Sequence, residues 1–494
     1  MHARMAALVT AGALLAGGAL AAGPAAAASL RPAPPTGVHL AAVSGSALTV
    51  TAHRSRHATG YRLFASSRRR DLHVAAIGRA RASRLSRSPR MTVRGLRYST
   101  RPYYFRVEVT SGGKHRFEAA IHTAYLRPPV PRGLRLATAG APYLTWTPAS
   151  VTGYVVEQAT NAAMTAGRRS YTLRALTNQF TPYGLTRGRT YWFRLRAVNH
   201  GTRSLGTAPV HVRATARQQA LSVMTYNVLE ADTAGQVESG APLATWSARR
   251  PGVVGLIRSR RPDVVAVQEA AAFVAPSTRQ VDDLTAALGG TYALARTEIP
   301  PTEPGWHRTA NYLLYRPDRW QPAGTPGHWD VGDGHSAAYA VLRNRATGAR
   351  VMVVCTHLAV GNGATYDAVR QRETESLLRQ ARAAAGGLPI VYAGDFNSDV
   401  NRNHAFDGPG RAMRAARVAD AEKVAQSSLN GGYNSANLNL RRPPALDQSI
   451  DYVYAPPGVA VTRREVVLQL AGGRFPGVIP SDHNPVLAST YVPF

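Results

Sequence analysis

Two all-β sandwich domains followed by one layered α/β domain is the architecture that this 494-residue sequence predicts, and three observations carry it. Through residues 34–217 the apolar residues fall in short segments of period two, broken by Gly, Pro, Ser and Thr, as in the half-buried strands of a sandwich. From residue 218 onward, apolar strand candidates alternate with helical stretches, as layered α/β folds require. The charge balance changes at the same boundary. Residues 1–217 hold 32 Lys and Arg against 4 Asp and Glu, a net of +28, whereas residues 218–494 hold 27 against 24, a net of +3.

Residues 1–28 form a separate segment. A basic start (His2, Arg4), an apolar stretch from Met5 to Leu20 and the small residues Ala26, Ala27 and Ala28 describe a signal peptide, so the chain is expected to be secreted. Gly12, Gly17, Gly18 and Gly23 interrupt this run, and it is short of the ~20 apolar residues of a spanning helix. No later segment reads as transmembrane. The single cysteine, Cys355, cannot close an intramolecular disulfide and reads as a small buried hydrophobe in VMVVCTHL at 351–358.

Next come two modules of similar pattern. LTW at 144–146, GYVVEQ at 153–158, GL at 184–185 and TYWFRLRAVN at 190–199 set out the second, over 127–217. It resembles a fibronectin type III domain, an immunoglobulin-like sandwich. In that resemblance Trp146 is the core tryptophan, and Leu185 with Tyr191 forms the corner before a long strand. ALTV at 47–50, GYRLFAS at 60–66, GL at 95–96 and YYFRVEV at 103–109 outline a divergent earlier copy over 34–126, with Val50 at the tryptophan position. RPPVPRG at 127–133 is a proline-rich junction. The basic stretch 68–90 has few aromatics and reads as a solvated loop face.

The strand candidates of residues 218–494 are LSVMTYNV, DVVAVQE, RVMVVCTHL, PIVYAGDF, IDYVYA and PVLASTYV. WSARRPGVVGLIRSRRPD at 246–263 is a helix stopped by a proline. YDAVRQRETESLLRQARAAAGG at 366–387 is a second, with Val369, Leu377, Leu378 and Ala381 on one side and Gly386-Gly387 as terminator. Arg370 on that helix reads as solvated or ion-paired.

Polar residues gather where the apolar runs end: TYNVLE at 225–230, VVAVQEA at 264–270, THL at 356–358, GDFNSD at 394–399, SIDYVY at 449–454 and PSDHNPV at 480–486. A loop Asp, an Asn two residues on and a later Asp-His pair suit metal-assisted attack of water on a phosphate ester. In this order the pieces resemble the endonuclease/exonuclease/phosphatase superfamily, the deoxyribonuclease-I-like enzymes, over about residues 218–494. The resemblance implies a four-layer α/β sandwich: two packed β-sheets with helices outside and a cleft at one edge.

It also implies roles. Glu269 is the principal ligand of Mg²⁺ (or Mn²⁺ or Ca²⁺), with Asn227 beside it and Asp482 as a second metal ligand, since a hard cation takes oxygen donors. Asp395 and Asn397 orient and activate the attacking water. His483 touches the phosphate, as base or as stabiliser of developing charge, and Asp451 receives its other ring N–H. His357 bonds a non-bridging phosphate oxygen. The contacts of Tyr315 and Arg316, in ANYLLYRPDRW at 310–320, stay open.

Reaction type is better specified than substrate. The Arg-rich front half suits a polyanion, which favours a secreted nuclease acting on nucleic acid as a monomer. Sphingomyelinase or phospholipase C-like activity, or small-phosphoester hydrolysis, is the alternative, because those enzymes share the motifs. A third reading is a non-catalytic protein whose fibronectin-like modules bind polysaccharide or cell wall. The loop LNGGYNSANLNLRRPPALDQ at 429–448 has no long apolar run suited to lipid, which tilts the reading to nuclease. No GxxxxGK[ST] pattern supports nucleoside-triphosphate chemistry.

Overall fold

A computed structural model describes residues 30–175, 177–238, 241–295, 311–399 and 406–494. The signal-peptide expectation at 1–28 lies outside the described residues. Among them, no helix is long and apolar enough to cross a membrane. The chain divides into two compact units, one running to Arg97 and including Arg101–Ala124, the other made of Tyr98–Thr100 and Tyr125–Phe494.

The first unit holds a three-stranded sheet (His39–Val43, Ala47–Thr51, Arg90–Arg94) and a five-stranded sheet built on Gly60–Ser66 and Tyr103–Ser111. Leu48, Val50 and Val93 of one sheet and Leu63, Val107 and Val109 of the other are fully buried.

The second unit begins with another strand-rich module. Arg135–Ala139, Ala141–Thr145 and Gln179–Phe180 form three strands, and Gly153–Ala159 and Thr190–Asn199 lie at the centre of five more. Burial along Thr190–Asn199 alternates at every residue, the period of a strand with one face in a core. Leu144, Trp146, Tyr154, Val156, Phe193 and Leu195 share that core, and the Tyr191 hydroxyl accepts from the Thr186 N–H at 3.0 Å. This module packs on the α/β domain through Tyr183, whose ring stacks 5.1 Å from that of Tyr491, and through Thr177, whose hydroxyl donates to the Lys423 carbonyl at 2.9 Å.

Two seven-stranded sheets make the α/β domain. The first runs in the order Ala293–Ala295, Asn311–Tyr315, Val264–Gln268, Gln218–Asn227, Val486–Pro493, Ala460–Val466, Ser427–Leu429. The second runs Trp320–Pro322, His335–Asn344, Arg350–His357, Ile390–Asp395, Asp451–Ala455, Ala419–Asp420, with Gly327–Gly332 also on His335–Asn344. Their central strands are buried on both faces, because each sheet is covered twice. Val223, Ala266, Val351, Val353, Val391 and Val453 meet between the sheets. Met224, Tyr226 and Val265 face the helices Trp246–Arg260 and Gln280–Ala287, while Met352, Val354 and Tyr392 face Ala364–Ala385 and Gly408–Ala415. The result is helix, sheet, sheet, helix.

The helix Trp246–Arg260 starts at Thr245, whose side chain accepts from the Ala248 N–H. Ala364–Ala385 stops at Gly386, with φ 55°, the left-handed conformation glycine adopts most cheaply. On this helix Arg370 is buried, not solvated. Val369 is half-buried, whereas Arg370 is fully buried. The first turns face the loop after His357, not apolar sheet. Arg370 Nη1 donates to the Ala359 and Gly361 carbonyls at 2.9 Å each, and Glu373 Oε2 accepts from the Ala359 N–H at 3.1 Å. A charge can enter a core when the backbone supplies partners.

Strand register places the polar strand ends in one row. Asn227 lies opposite Gln268, His357 opposite Asp395, and Asp395 opposite Asp451. Gly394 explains part of this closeness, for a Cβ there would meet the Thr356 carbonyl oxygen at 2.1 Å. Gly394→Ala is therefore expected to push the strand carrying Asp395 away from the one carrying His357, at a cost of about 1–3 kcal/mol in stability. Denaturant unfolding measures this, and a variant as stable as the parent would refute the close approach.

Candidate active site

At this edge the side chains converge from both sheets. Asn227 Nδ2 donates to Glu269 Oε1 at 2.7 Å and to Asp395 Oδ2 at 3.3 Å, bridging the first sheet to the second. Asn397 Nδ2 donates to His357 Nε2 at 2.9 Å and to the Leu358 carbonyl at 3.0 Å. His357 stands 3.8 Å from Glu269 and 3.6 Å from Asp395. Across the row His483 Nδ1 donates to Asp451 Oδ2 at 2.9 Å, and its Nε2 lies 3.7 Å from Asp395 Oδ2. Asp395 is thus shared by Asn227, His357 and His483. Asp395 Oδ1 also accepts from the Asn397 N–H at 2.9 Å, so an Asx turn and a place in the cluster coexist.

Backbone conformation and charge mark the same spot. Glu269 and Asn397 have φ of 58° and 48°, a left-handed conformation unusual for residues with a Cβ, held here by side-chain bonds. Burial pushes the Glu269 carboxyl up, Asp482 adds to that, and His357, Asn227 and His483 oppose it. For His483 burial disfavours the charged ring, but Asp451, Asp482 and Asp395 outweigh it and hold the imidazole well above its usual range. Its Nε2–H is then a charged donor 3.7 Å from Asp395 Oδ2. Burial pushes the Cys355 thiol up to about 12, which leaves it an inert part of the core.

Several supporting residues carry no short sequence signal. Arg249, 2% exposed, donates to the carbonyls of Ala244, Val228, Leu229, Glu230 and Pro480 at 2.6–3.3 Å. It ties the loop after Asn227 to the loop before Asp482 and His483. Ser481 donates to the Asn227 carbonyl at 2.8 Å. Ser435 accepts from the Ile450 and Asp451 N–H groups, and Asn437 holds the Ser481 carbonyl and Asn484. The segment 429–448 is therefore scaffold for Asp451 and His483. Tyr315 and Arg316 lie elsewhere: Tyr315 packs against the core between the sheets, and Arg316 pairs with Asp318.

The donor set fits a hard divalent cation. Oxygen donors dominate the cleft, and burial with like charge raises Glu269, a strain that a cation would relieve. Among the described residues, Asp395, Asp451 and His483 offer ligand atoms that all lie within 4.8 Å of one another. Asp482 is near enough to raise Glu269, while its Oδ1 takes the Ser481 hydroxyl at 3.2 Å.

Several known proteins are similar to part of this chain. Nocturnin of Drosophila melanogaster is 27% identical over 195 residues, 36% of this chain and 29% of nocturnin, so the chain spans under a third of that relative's length. An endonuclease/exonuclease/phosphatase from Bacteroides vulgatus is 22% identical, with 55% of this chain and 98% of that chain covered and a TM-score of 0.43. The human nocturnin catalytic domain with bound sulfate is 16% identical, covers 55% and 98%, and has a TM-score of 0.39. A mannosyl-6-phosphatase of Bacteroides thetaiotaomicron is 17% identical, covers 55% and 99%, and has a TM-score of 0.42. The profile of the Endonuclease/Exonuclease/phosphatase family matches residues 224–483, more than half of the chain, and to that family the chain belongs.

Proposed function

We propose that this chain is a secreted nuclease that hydrolyses phosphodiester bonds with a divalent metal, Mg²⁺ by preference, and that its Arg-rich front half holds the polyanion. The family carries the phosphoesterase class and its dependence on a divalent metal. The carrying observation is Asp395 set between a metal-suited group, Glu269 with Asn227, and the His483–Asp451 pair.

Bound there, the metal would polarise the phosphoryl oxygen and neutralise its charge. Glu269 and Asp482 would hold it, with Asn227 fixing the Glu269 carboxylate. Asp395, steadied by Asn227 and the Asn397 N–H, receives the proton of the attacking water. His483, kept protonated by its three carboxylate neighbours, donates to a phosphoryl oxygen as charge develops on it, and Asp451 fixes the ring's orientation. His357, oriented by Asn397, serves a second oxygen. In front, the corner bond of Tyr191 and the buried Trp146 support a fibronectin type III-like reading of 127–217, with a divergent copy before it. A phospholipase C-like reading draws on the large exposed apolar residues Phe273, Val360 and Phe406, on segments that follow Glu269, His357 and Asn397.

Chelation with EDTA is expected to abolish turnover, and Mg²⁺ or Mn²⁺ to restore it. Glu269→Gln, nearly isosteric, should raise the metal concentration needed with the fold intact. Undiminished activity in chelator would exclude the mechanism.

His483→Ala and Asp451→Asn should each lower kcat by about two to four orders of magnitude, and the double variant should be little worse than His483→Ala. Losses that multiply in the cycle would show two independent residues.

Affinity for duplex DNA should fall with salt, at ~0.9 in log–log slope per phosphate neutralised. Replacing the exposed Arg68, Arg69, Arg70, Arg84 and Arg87 by Gln should weaken binding and flatten that slope, without changing turnover of a short substrate. An unchanged slope would return the modules to spacers or polysaccharide binders.

A further inference from the structure

The second β-module is joined to the catalytic pair by a continuous line of polar contacts. It starts at Arg174 of the strand Arg169–Arg174, whose Nη1 pairs with Glu422 Oε1 and donates to the Glu422 carbonyl at 3.1 Å. Glu422 is set by two further bonds: its N–H donates to Asp420, and its Oε2 accepts from Ser428 at 2.8 Å. The same Oε2 lies 3.4 Å from Arg464 Nε. Arg464 Nη2 donates to the Ser449 hydroxyl at 3.1 Å, and that hydroxyl donates to the Asp451 carbonyl at 2.9 Å. Asp451 then accepts from His483. Arg464 belongs to the first sheet and Asp451 to the second, so this side chain also crosses between them.

Arg464 is not placed there by packing alone. It is 3% exposed, and burial pulls its guanidinium down against the pull of Asp420, Asp447 and Asp451. A cation so placed depends on its counter-charges, and Glu422 is the carboxylate in direct ion-pair contact with it. Glu422 is in turn gripped from the module by Arg174. Beside this line lies a cleft of about 900 Å³, walled by Arg135, Tyr143 and Asn178 of the module and by Asp420, Ser449 and Arg464 of the α/β domain.

We propose that Arg464 is a positioning residue for the Asp451–His483 pair, and that the second β-module sets it through Arg174 and Glu422. The module then completes the active site instead of only tethering it. This rests on the role given to His483 above, yet its geometry can be read without turnover.

The test uses the full-length chain. In Arg464→Met, kcat on a short phosphodiester with Mg²⁺ should fall about tenfold to a hundredfold, with KM changed far less. Arg464→Lys should recover part of the loss, and Arg174→Met should show a smaller loss of the same kind. In parallel, the ¹H resonance of the His483 Nδ1–H bonded to Asp451 should shift in Arg464→Met and, less, in Arg174→Met. Combining Arg464→Met with His483→Ala should add nothing to the loss of His483→Ala. An unmoved resonance and unchanged kcat in Arg464→Met would overturn the proposal. So would an activity loss that only tracks a lowered Tm while the resonance stays in place. A resonance that moves in a parent chain inactive on every phosphoester would sink the proposed function and leave the coupling standing.

Discussion

Burial of both faces of both sheets is the constraint from which the site follows. In the central strands Val264–Gln268, Arg350–His357 and Ile390–Asp395, covered by a helix layer on one side and by the other sheet on the second, every position but Arg350 is buried. The polar groups of the site sit at the ends of such strands, and register decides which ends meet. The parallel pairs Gln218–Asn227 with Val264–Gln268 and Arg350–His357 with Ile390–Asp395 bring their C-terminal ends to one edge, and the antiparallel Asp451–Ala455 brings its first residue there. The cluster of Asn227, Glu269, His357, Asp395, Asp451 and His483 is thus a property of topology. Asn227, His357, Asp395 and Asp451 are set on the strands themselves, as precise catalytic geometry needs, while Glu269 and His483 lie just outside them.

Loops at that edge would drift without an internal brace, and the braces are buried arginines. Arg249 gathers carbonyls from both the loop after Asn227 and the loop before His483, and Arg370 does the same for the loop after His357. A guanidinium suits this because it carries five donors in a fixed fork and no acceptor, so several carbonyls can close around one group. Burial costs are met by those carbonyls, and for Arg464 by Glu422.

The motifs that end apolar runs were legible in the sequence because each is local: an apolar strand, then an Asp, Asn, Glu or His at its tip. The braces were not. Arg249 reaches Pro480, 231 residues on, and Arg464 reaches Ser449 from the other sheet. Such a residue looks like any surface arginine until the chain is folded, and nothing local in the sequence announces the burial of Arg370. Two of the longer strands were also among those hidden. His335–Asn344 is rich in alanine, and Ala460–Val466 contains Arg463, Arg464 and Glu465, where the buried Glu465 pairs with Arg260 and Arg463 and the buried Arg464 with Glu422. The role of 429–448 was equally opaque, since asparagines that bond backbone across 40 or more residues have no local pattern.

The scarcity of acids in the front half has a structural side that composition does not reveal. Asp71 accepts from Ser66, Glu108 faces Arg62 and His115, Glu118 bonds His122, and Glu157 holds Arg194 and Arg196. Asp71, Glu108 and Glu118 are each under 10% exposed, and the Glu157 side chain is 12% exposed. Each of the four acids of residues 1–217 is therefore spent on internal contacts. The exposed arginines of 68–90 face water with no surface carboxylate of their own module to oppose them. Codon preference can replace Lys by Arg, but it does not withdraw every acid from the surface. A field of one sign over the front modules is what a polyanion-holding role requires, and it is built by where the few acids sit as much as by how many bases there are.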